Sequence, residues 1–242
     1  MLVFGKANHG KNPNELSHWI DAKFEPLKEY LAKVEAQTHR RFFKTHTPLD
    51  GIPYLPSCTY LAVVRDPRDV YLSCMKHLNN MVNEEASDAI FPEKEDTFDT
   101  WLNTAFDPME FDFQCFEQFV RIFKSYWAAK DTDNVHLYHY TEMVNDLRSA
   151  IASMAAAVSV SPSDEQLDEY TQAASFSAMK KEAERYAPYA GIGFWKSASG
   201  FFASGEVDQW KTQLSAEQND ALLRKASTLL SKQEMAWLFK SS

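Results

Sequence analysis

Cysteine is sparse: Cys58, Cys74 and Cys115 stand far apart, with no C-x-x-C pair among them. That excludes a disulfide scaffold and a zinc cluster and implies a reducing compartment. Glycine is scarce too, seven in 242 residues, and the chain has neither an internal repeat nor a low-complexity tract. Long apolar runs are missing. The opening Leu2-Val3-Phe4 is too short for a signal peptide, and no later stretch reaches membrane-spanning length, so a cytoplasmic protein with no membrane partner is expected. Basic charge is in deficit, 25 Lys+Arg against 34 Asp+Glu, a net charge of −9. Such a surface repels phosphate backbones, which removes nucleic acid from the partners and requires any anion site to be local. No serine elbow or paired-carboxylate pattern stands out.

What is present suffices for one α/β domain over residues 1–242, with 45% hydrophobic residues to fill its core. Leu2-Val3-Phe4 reads as the last turn of a helix already under way. Leu16, Trp19, Ile20, Phe24, Leu27, Leu31 and Val34 recur with helical period, broken near Pro26, and predict one or two helices between residues 14 and 39. Arg41 to His46 reads as a short strand. Cys58 to Arg65 is the clearest strand, apolar enough to be buried on both faces. Asp66 and Pro67 then cap and open a helix. Residues 84–99 read as an acidic surface loop, 113–130 as an amphipathic helix, Val135 to Tyr140 as a strand, and Glu142 to Val158, Asp164 to Lys181 and Ser215 to Phe239 as helices. The stretch from Tyr186 to Gly205 is irregular. Strand and helix in alternation predict a three-layer fold, a parallel sheet flanked by helices.

Two segments offer chemistry. Arg65-Asp66-Pro67-Arg68-Asp69-Val70, followed by Ser73, places an arginine at the carboxyl end of a strand and a hydroxyl two turns into the next helix. Ligands gather at such strand ends, where a helix N-terminus offers free N–H groups and Arg65 a charged, bidentate contact to phosphate. Arg65 is equally able to pair with Asp66 or Asp69. Lys44-Thr45-His46-Thr47-Pro48 closes the other strand, bringing a cation and an imidazole to the same rim. A histidine near neutral pH suits proton removal from a hydroxyl, although one after a strand is also a common polar loop residue. His136 and His139 face opposite sides of a strand, which disfavours a metal site. Tyr186, Tyr189, Phe194 and Trp195 either line an apolar pocket or pack the core.

In this order the segments resemble the cytosolic sulfotransferase family almost end to end. Arg41-Phe-Phe-Lys-Thr-His-Thr-Pro-Leu49 resembles its R-x-x-K-T-H-x-P-L segment, Val64 to Val70 with Ser73 its V-x-R-x-P-x-D-V-x-x-S segment, and Tyr140-Thr-Glu-Met143 its Y-E-D-M. Ala174-Ser-Phe-Ser-Ala-Met-Lys-Lys181 is similar to T-S-F-x-x-M-K-K, and Phe201 to Lys211 to F-x-R-K-G-x-x-G-D-W-K. The resemblance implies a P-loop type of nucleotide-binding fold and transfer of the sulfuryl group of 3′-phosphoadenosine-5′-phosphosulfate (PAPS) to a hydroxyl or amine of a small-molecule acceptor, with no metal. It implies His46 as the base that takes the acceptor's proton, Lys44 near the moving sulfuryl group, and Arg65 and Ser73 on the nucleotide's 3′-phosphate. Tyr140, Ser175, Phe176, Met179, Phe201 and Gly205 are implied around the nucleotide.

The pattern also departs from the family. The Y-P-K-S-G-T-T-W loop that cradles the 5′-phosphosulfate has no counterpart before Lys44, so an N-terminally incomplete domain with impaired turnover is expected. Ala203 and Ser204 stand where the family carries Arg-Lys against the 3′-phosphate, and Glu206 adds an anion. Lys211 to Asp220 only loosely resembles the dimer motif of animal relatives, leaving a homodimer open. A catalytically inactive relative that binds a nucleotide or a partner is the competing reading. A kinase-like P-loop enzyme shares the fold but leaves Lys44-Thr45-His46 unexplained.

Overall fold

The computed structural model describes residues 1–8, 10–21, 26–82, 97–108, 115–191 and 193–240. Its N-terminal apolar residues form a 3-10 turn, Leu2–Phe4. Met1, Leu2 and Ala7 pack against Ile151, Leu167 and Tyr170. Helix α1, Pro13–Leu16, starts in a reciprocal capping box between Asn12 and Glu15. The Asn12 amide also donates to the carbonyls of Arg185 and Ala187, at 2.9 and 3.0 Å, and so ties this segment to the C-terminal half. Helix α2, Leu27–Glu35, keeps Leu27 and Leu31 exposed. Two helices therefore share the region expected to be helical, but Trp19 between them is extended; Phe24 lies outside the described residues.

Strand β1, Tyr60–Val64, pairs in parallel with β2, Val135–His139, in the register Tyr60↔Val135 to Val64↔His139. The strand expected over Arg41 to His46 is realised only as a parallel bridge between Trp19 and Lys44. Its partner chain is extended for just those few residues, so no longer ladder forms. Burial along β1 alternates instead of running on: Ala62 and Val64 are buried while Leu61 and Val63 are 40% and 52% exposed. Among the described residues one face of β1 is thus uncovered, contrary to the double burial its composition suggests.

Helix α3, Pro67–Asn80, follows β1 as the Asp-Pro pair predicts, with the Asp66 carboxylate accepting from Arg68 N at 2.9 Å and Pro67 in the first turn. Residues 84–96 of the acidic stretch lie outside the described residues, and its end opens helix α4, Thr97–Asn103. Helix α5, Phe116–Ala128, leads into β2; Phe113 is not among the described residues.

Beyond β2 the long predicted helices are each broken in two. The pairs are α6, Tyr140–Asn145, with α7, Leu147–Ala157, and α8, Asp164–Ala174, with α9, Phe176–Lys181. After α10, Ala183–Tyr186, α11, Ala198–Phe201, and α12, Trp210–Gln213, the last pair is α13, Ala216–Leu229, and α14, Lys232–Leu238. Every break falls at a residue whose side chain caps the second helix: Asp146, Ser175 and Ser231. A capping oxygen there satisfies the free amides of a new helix start, which outweighs continuity of the apolar period.

The main core lies on one side of the sheet, where α3, α4, α5, α13 and α14 bring together Val64, Tyr71, Trp101, Phe116, Phe123, Leu222 and Leu238. Full burial of one such side chain contributes about 1.5–3 kcal/mol. Arg68 is buried at the core's edge. Its guanidinium meets the Asp66 carboxylate at 2.5–3.2 Å and lies 3.4 Å from the centre of the Trp210 ring.

Candidate active site

Lys44 and His46 sit on the short extended segment that Trp19 holds. Backbone bonds of 3.0 Å join Ile20 N to Lys44 O and Lys44 N to His18 O. The Trp19 indole then serves both side chains: the Lys44 ammonium stands 4.0 Å over it, and the His46 ring meets it edge to face at 4.7 Å.

Asp21 fixes the turn. Its Oδ2 accepts from the Thr45 hydroxyl, the His46 backbone N–H and the Thr47 hydroxyl, each at 2.7 Å. Burial pushes the His46 imidazole down from 6.5 to about 4; Lys44 adds to that fall and Asp21 opposes it. The side chain of Lys44 reaches the surface, yet desolvation of its ammonium lowers its pKa, against the pull of Asp21. At neutral pH His46 is therefore an uncharged imidazole, able to accept a proton, beside a cation.

Arg65 emerges from β1 onto α3. It donates to the Asp69 carboxylate at 3.0 Å and to the Glu206 carbonyl at 2.6 Å, and its guanidinium lies 4.6 Å from the Tyr140 ring centre. Of the two acidic partners open to it from sequence, Asp69 is the one it takes; Asp66 belongs to Arg68. Asp69 also accepts from Asp208 N and Trp210 N, at 2.9 and 3.1 Å, and so binds the 206–210 loop to the start of α3. Arg65 Nε and Ser204 Oγ are buried without a hydrogen-bond partner. Buried orphan donors of this kind fit a bound anion.

The same loop gathers most of the remaining candidates. Gly205 has φ +67°, and a Cβ there would stand 2.3 Å from the Phe176 ring, so only glycine fits. Ser175 caps α9, on which Phe176 and half-buried Met179 lie. Lys180, also on α9, donates to the carbonyl of Ala203. Phe201 packs on His77 at 4.8 Å. Ser73 lies on the same helix as His77, one turn earlier.

The structure thus unites Arg65, Tyr140, Phe176, Phe201 and Gly205 around one loop, and Lys44 with His46 around Trp19. His77 joins the two groups. Burial lowers its pKa first and the charge of Lys44 next, and its Nδ1 is buried without a hydrogen-bond partner. The sequence pattern does not single out Asp21, Trp19 or His77. Trp19 and Asp21 lie in a segment whose period looks helical, and His77 shares a face with Ser73 only once α3 is known. Among the described residues no cluster of metal-binding side chains occurs, and no helix is long and apolar enough to cross a membrane.

Arg65 at the carboxyl end of β1, with a helix start directly after it, has the layout of an anion site in an open α/β fold. Residues 4–233 match the sulfotransferase domain, and the chain belongs to that family; sulfuryl transfer is its reaction class. A glycolipid sulfotransferase of Mycobacterium bovis (strain BCG / Pasteur 1173P2) is 26% identical over 265 residues, covering 98% of this chain and 81% of the relative. Mouse sulfotransferase SULT7A1 complexed with PAP superposes with a TM-score of 0.67 at 17% identity, over 85% of this chain and 71% of that one. Retinol dehydratase in complex with androsterone and inactive cofactor PAP gives 0.66 at 22% identity, over 86% of this chain; the chain spans only 58% of its length. These structural likenesses confirm the expected α/β fold.

Proposed function

We propose that this protein transfers a sulfuryl group from PAPS to a hydroxyl or amine of a small-molecule acceptor, with His46 as general base. The observation that carries this is the Lys44–His46 turn: an uncharged imidazole, held by Asp21 through the backbone, beside a lysine on a shared indole. Arg65 and Ser73 hold the 3′-phosphate, and Tyr140, Ser175, Phe176, Met179, Phe201 and Gly205 surround the nucleotide. The orphaned Arg65 Nε and Ser204 Oγ, and the close approach that Gly205 permits, fit such a ligand. Lys180 at the Ala203 carbonyl supplies a cation to a loop that lacks the family's Arg-Lys pair.

Bound PAPS supplies the sulfuryl group and leaves as 3′-phosphoadenosine-5′-phosphate (PAP). The chain's own part is positioning and charge. His46 accepts the proton of the acceptor's O–H or N–H, and Lys44 stabilises negative charge nearby. Burial is the larger cause of the low His46 basicity; an anion drawn to Lys44 offsets only the smaller part due to that cation.

The test is transfer from labelled PAPS by wild type and His46→Ala: the variant loses transfer and keeps PAP binding. Equal transfer by both removes His46 from this role.

A further inference from the structure

The loop Ala203-Ser204-Gly205-Glu206 carries no cation of its own, and its one charged side chain is Glu206. The chain as a whole is anionic, at −9. An anion that settles on this loop must therefore find its positive charge on neighbouring elements.

Two cations reach the loop, one at each end. Lys180, on α9, donates to the carbonyl of Ala203, and Arg65, directly after β1, donates to the carbonyl of Glu206 at 2.6 Å. The two carbonyls are three residues apart, a span of at most about 11 Å of extended chain. The Phe176 ring touches the same stretch: a Cβ on Gly205 would stand 2.3 Å from it, and the Lys180 ammonium lies 5.5 Å from its centre. One phosphate group at this loop is thus within reach of both cations.

The two differ in what else they hold. Arg65 also pairs with the buried Asp69 carboxylate at 3.0 Å, so part of its charge is neutralised within the protein. Lys180 is exposed and has no acidic partner among the described residues; Glu182, the nearest acid in sequence, pairs with Arg185 at 3.0 Å. An ammonium has three donors, and the Ala203 carbonyl takes one. Lys180 therefore brings an uncompensated charge and two further donors to a loop that has no cation.

We infer that Lys180 is a further nucleotide-binding residue: it contacts the 3′-phosphate together with Arg65, and preference for a nucleotide phosphorylated at the 3′ position depends on it. This rests on the nucleotide-binding reading above. Since the charge comes from outside the loop, the same charge placed on the loop can replace it. Ala203 offers the place. Its φ of +42° is already borne by a residue with a Cβ, so arginine there adds no new backbone strain.

The test is calorimetric titration of PAP and of adenosine 5′-phosphate, which lacks only the 3′-phosphate, into residues 1–242 and variants. The wild type prefers PAP. Lys180→Met weakens PAP about tenfold, as loss of a charged hydrogen bond does, and leaves adenosine 5′-phosphate unchanged. Lys180→Arg keeps the preference, and Ala203→Arg added to Lys180→Met restores it. Lys181→Met removes the same net charge one residue away and leaves the preference intact. Melting temperatures equal to the wild type's show that the variants fold; should Lys180→Met melt early, Lys180→Gln takes its place. An unchanged preference in Lys180→Met overturns the inference, as does a loss that neither arginine recovers. Equal weakening of both nucleotides overturns it too, because Lys180 then only shapes the loop; so does an equal effect of Lys181→Met, because net charge then suffices. All of these leave sulfuryl transfer standing. A wild type that binds neither nucleotide, or binds both alike, overturns the nucleotide-binding reading and the inference together.

Discussion

Asp21 Oδ2 lies 2.7 Å from the backbone nitrogen of His46, and the same oxygen receives the hydroxyls of Thr45 and Thr47. One carboxylate thereby sets the conformation of the whole Lys44–Pro48 turn and places a negative charge behind the imidazole. Asp21→Asn keeps the size but weakens all three bonds from charge-assisted to neutral. Transfer falls about ten- to a hundredfold through kcat, with PAP affinity unchanged. Steady-state kinetics with PAP titrations check this.

His46 titrates low, and the direction of each neighbour's effect is testable by NMR. The wild-type midpoint is about 4; Asp21→Asn moves it lower, and Lys44→Met moves it higher. Because the unfolded chain takes up this proton near 6.5 and the folded one only near 4, the contribution of His46 to stability is full above 6.5 and is lost as pH falls towards 4. A His46→Gln variant has a shallower decline in melting temperature across that window.

Much of this site is legible in the amino-acid sequence. The Asp66-Pro67 helix start, strand β1 and the grouping of Arg65 with the Phe201–Lys211 segment follow from cap chemistry, apolar runs and motif order. The breaks at Asp146, Ser175 and Ser231 are not legible, since periodicity continues across them and only the capping geometry shows where the backbone turns. Asp21 is hidden for another reason. Its partners lie 24 to 26 residues away, joined by hydrogen bonds that no local pattern encodes.

Arg68 and Asp66 form a buried pair, with side chains 5% and 4% exposed, at the start of the helix that carries Ser73. Arg68→Ala leaves the carboxylate buried and unpaired and removes packing against Trp210, at a cost of about 3–5 kcal/mol. Chemical denaturation measures it. Substitution of both residues by apolar ones of similar size recovers part of the loss, since no unpaired charge is then buried but the Asp66 cap on Arg68 N is gone.

Gly205→Ala brings a methyl group to within 2.3 Å of the Phe176 ring and strains a backbone held at φ +67°. The loop shifts, and PAP affinity drops at least tenfold while His46 keeps its NMR titration.

The division of labour between the Arg65 group and the Lys44–His46 turn is tested most directly by titrating PAP into residues 1–242, Arg65→Ala and His46→Ala side by side. PAP binds the wild type saturably, binds Arg65→Ala about ten- to a hundredfold more weakly, as expected for loss of a charged hydrogen bond, and binds His46→Ala as it does the wild type. Equal affinity for wild type and Arg65→Ala, or loss of binding in His46→Ala, contradicts the assignment of the nucleotide to Arg65 and of the acceptor to His46.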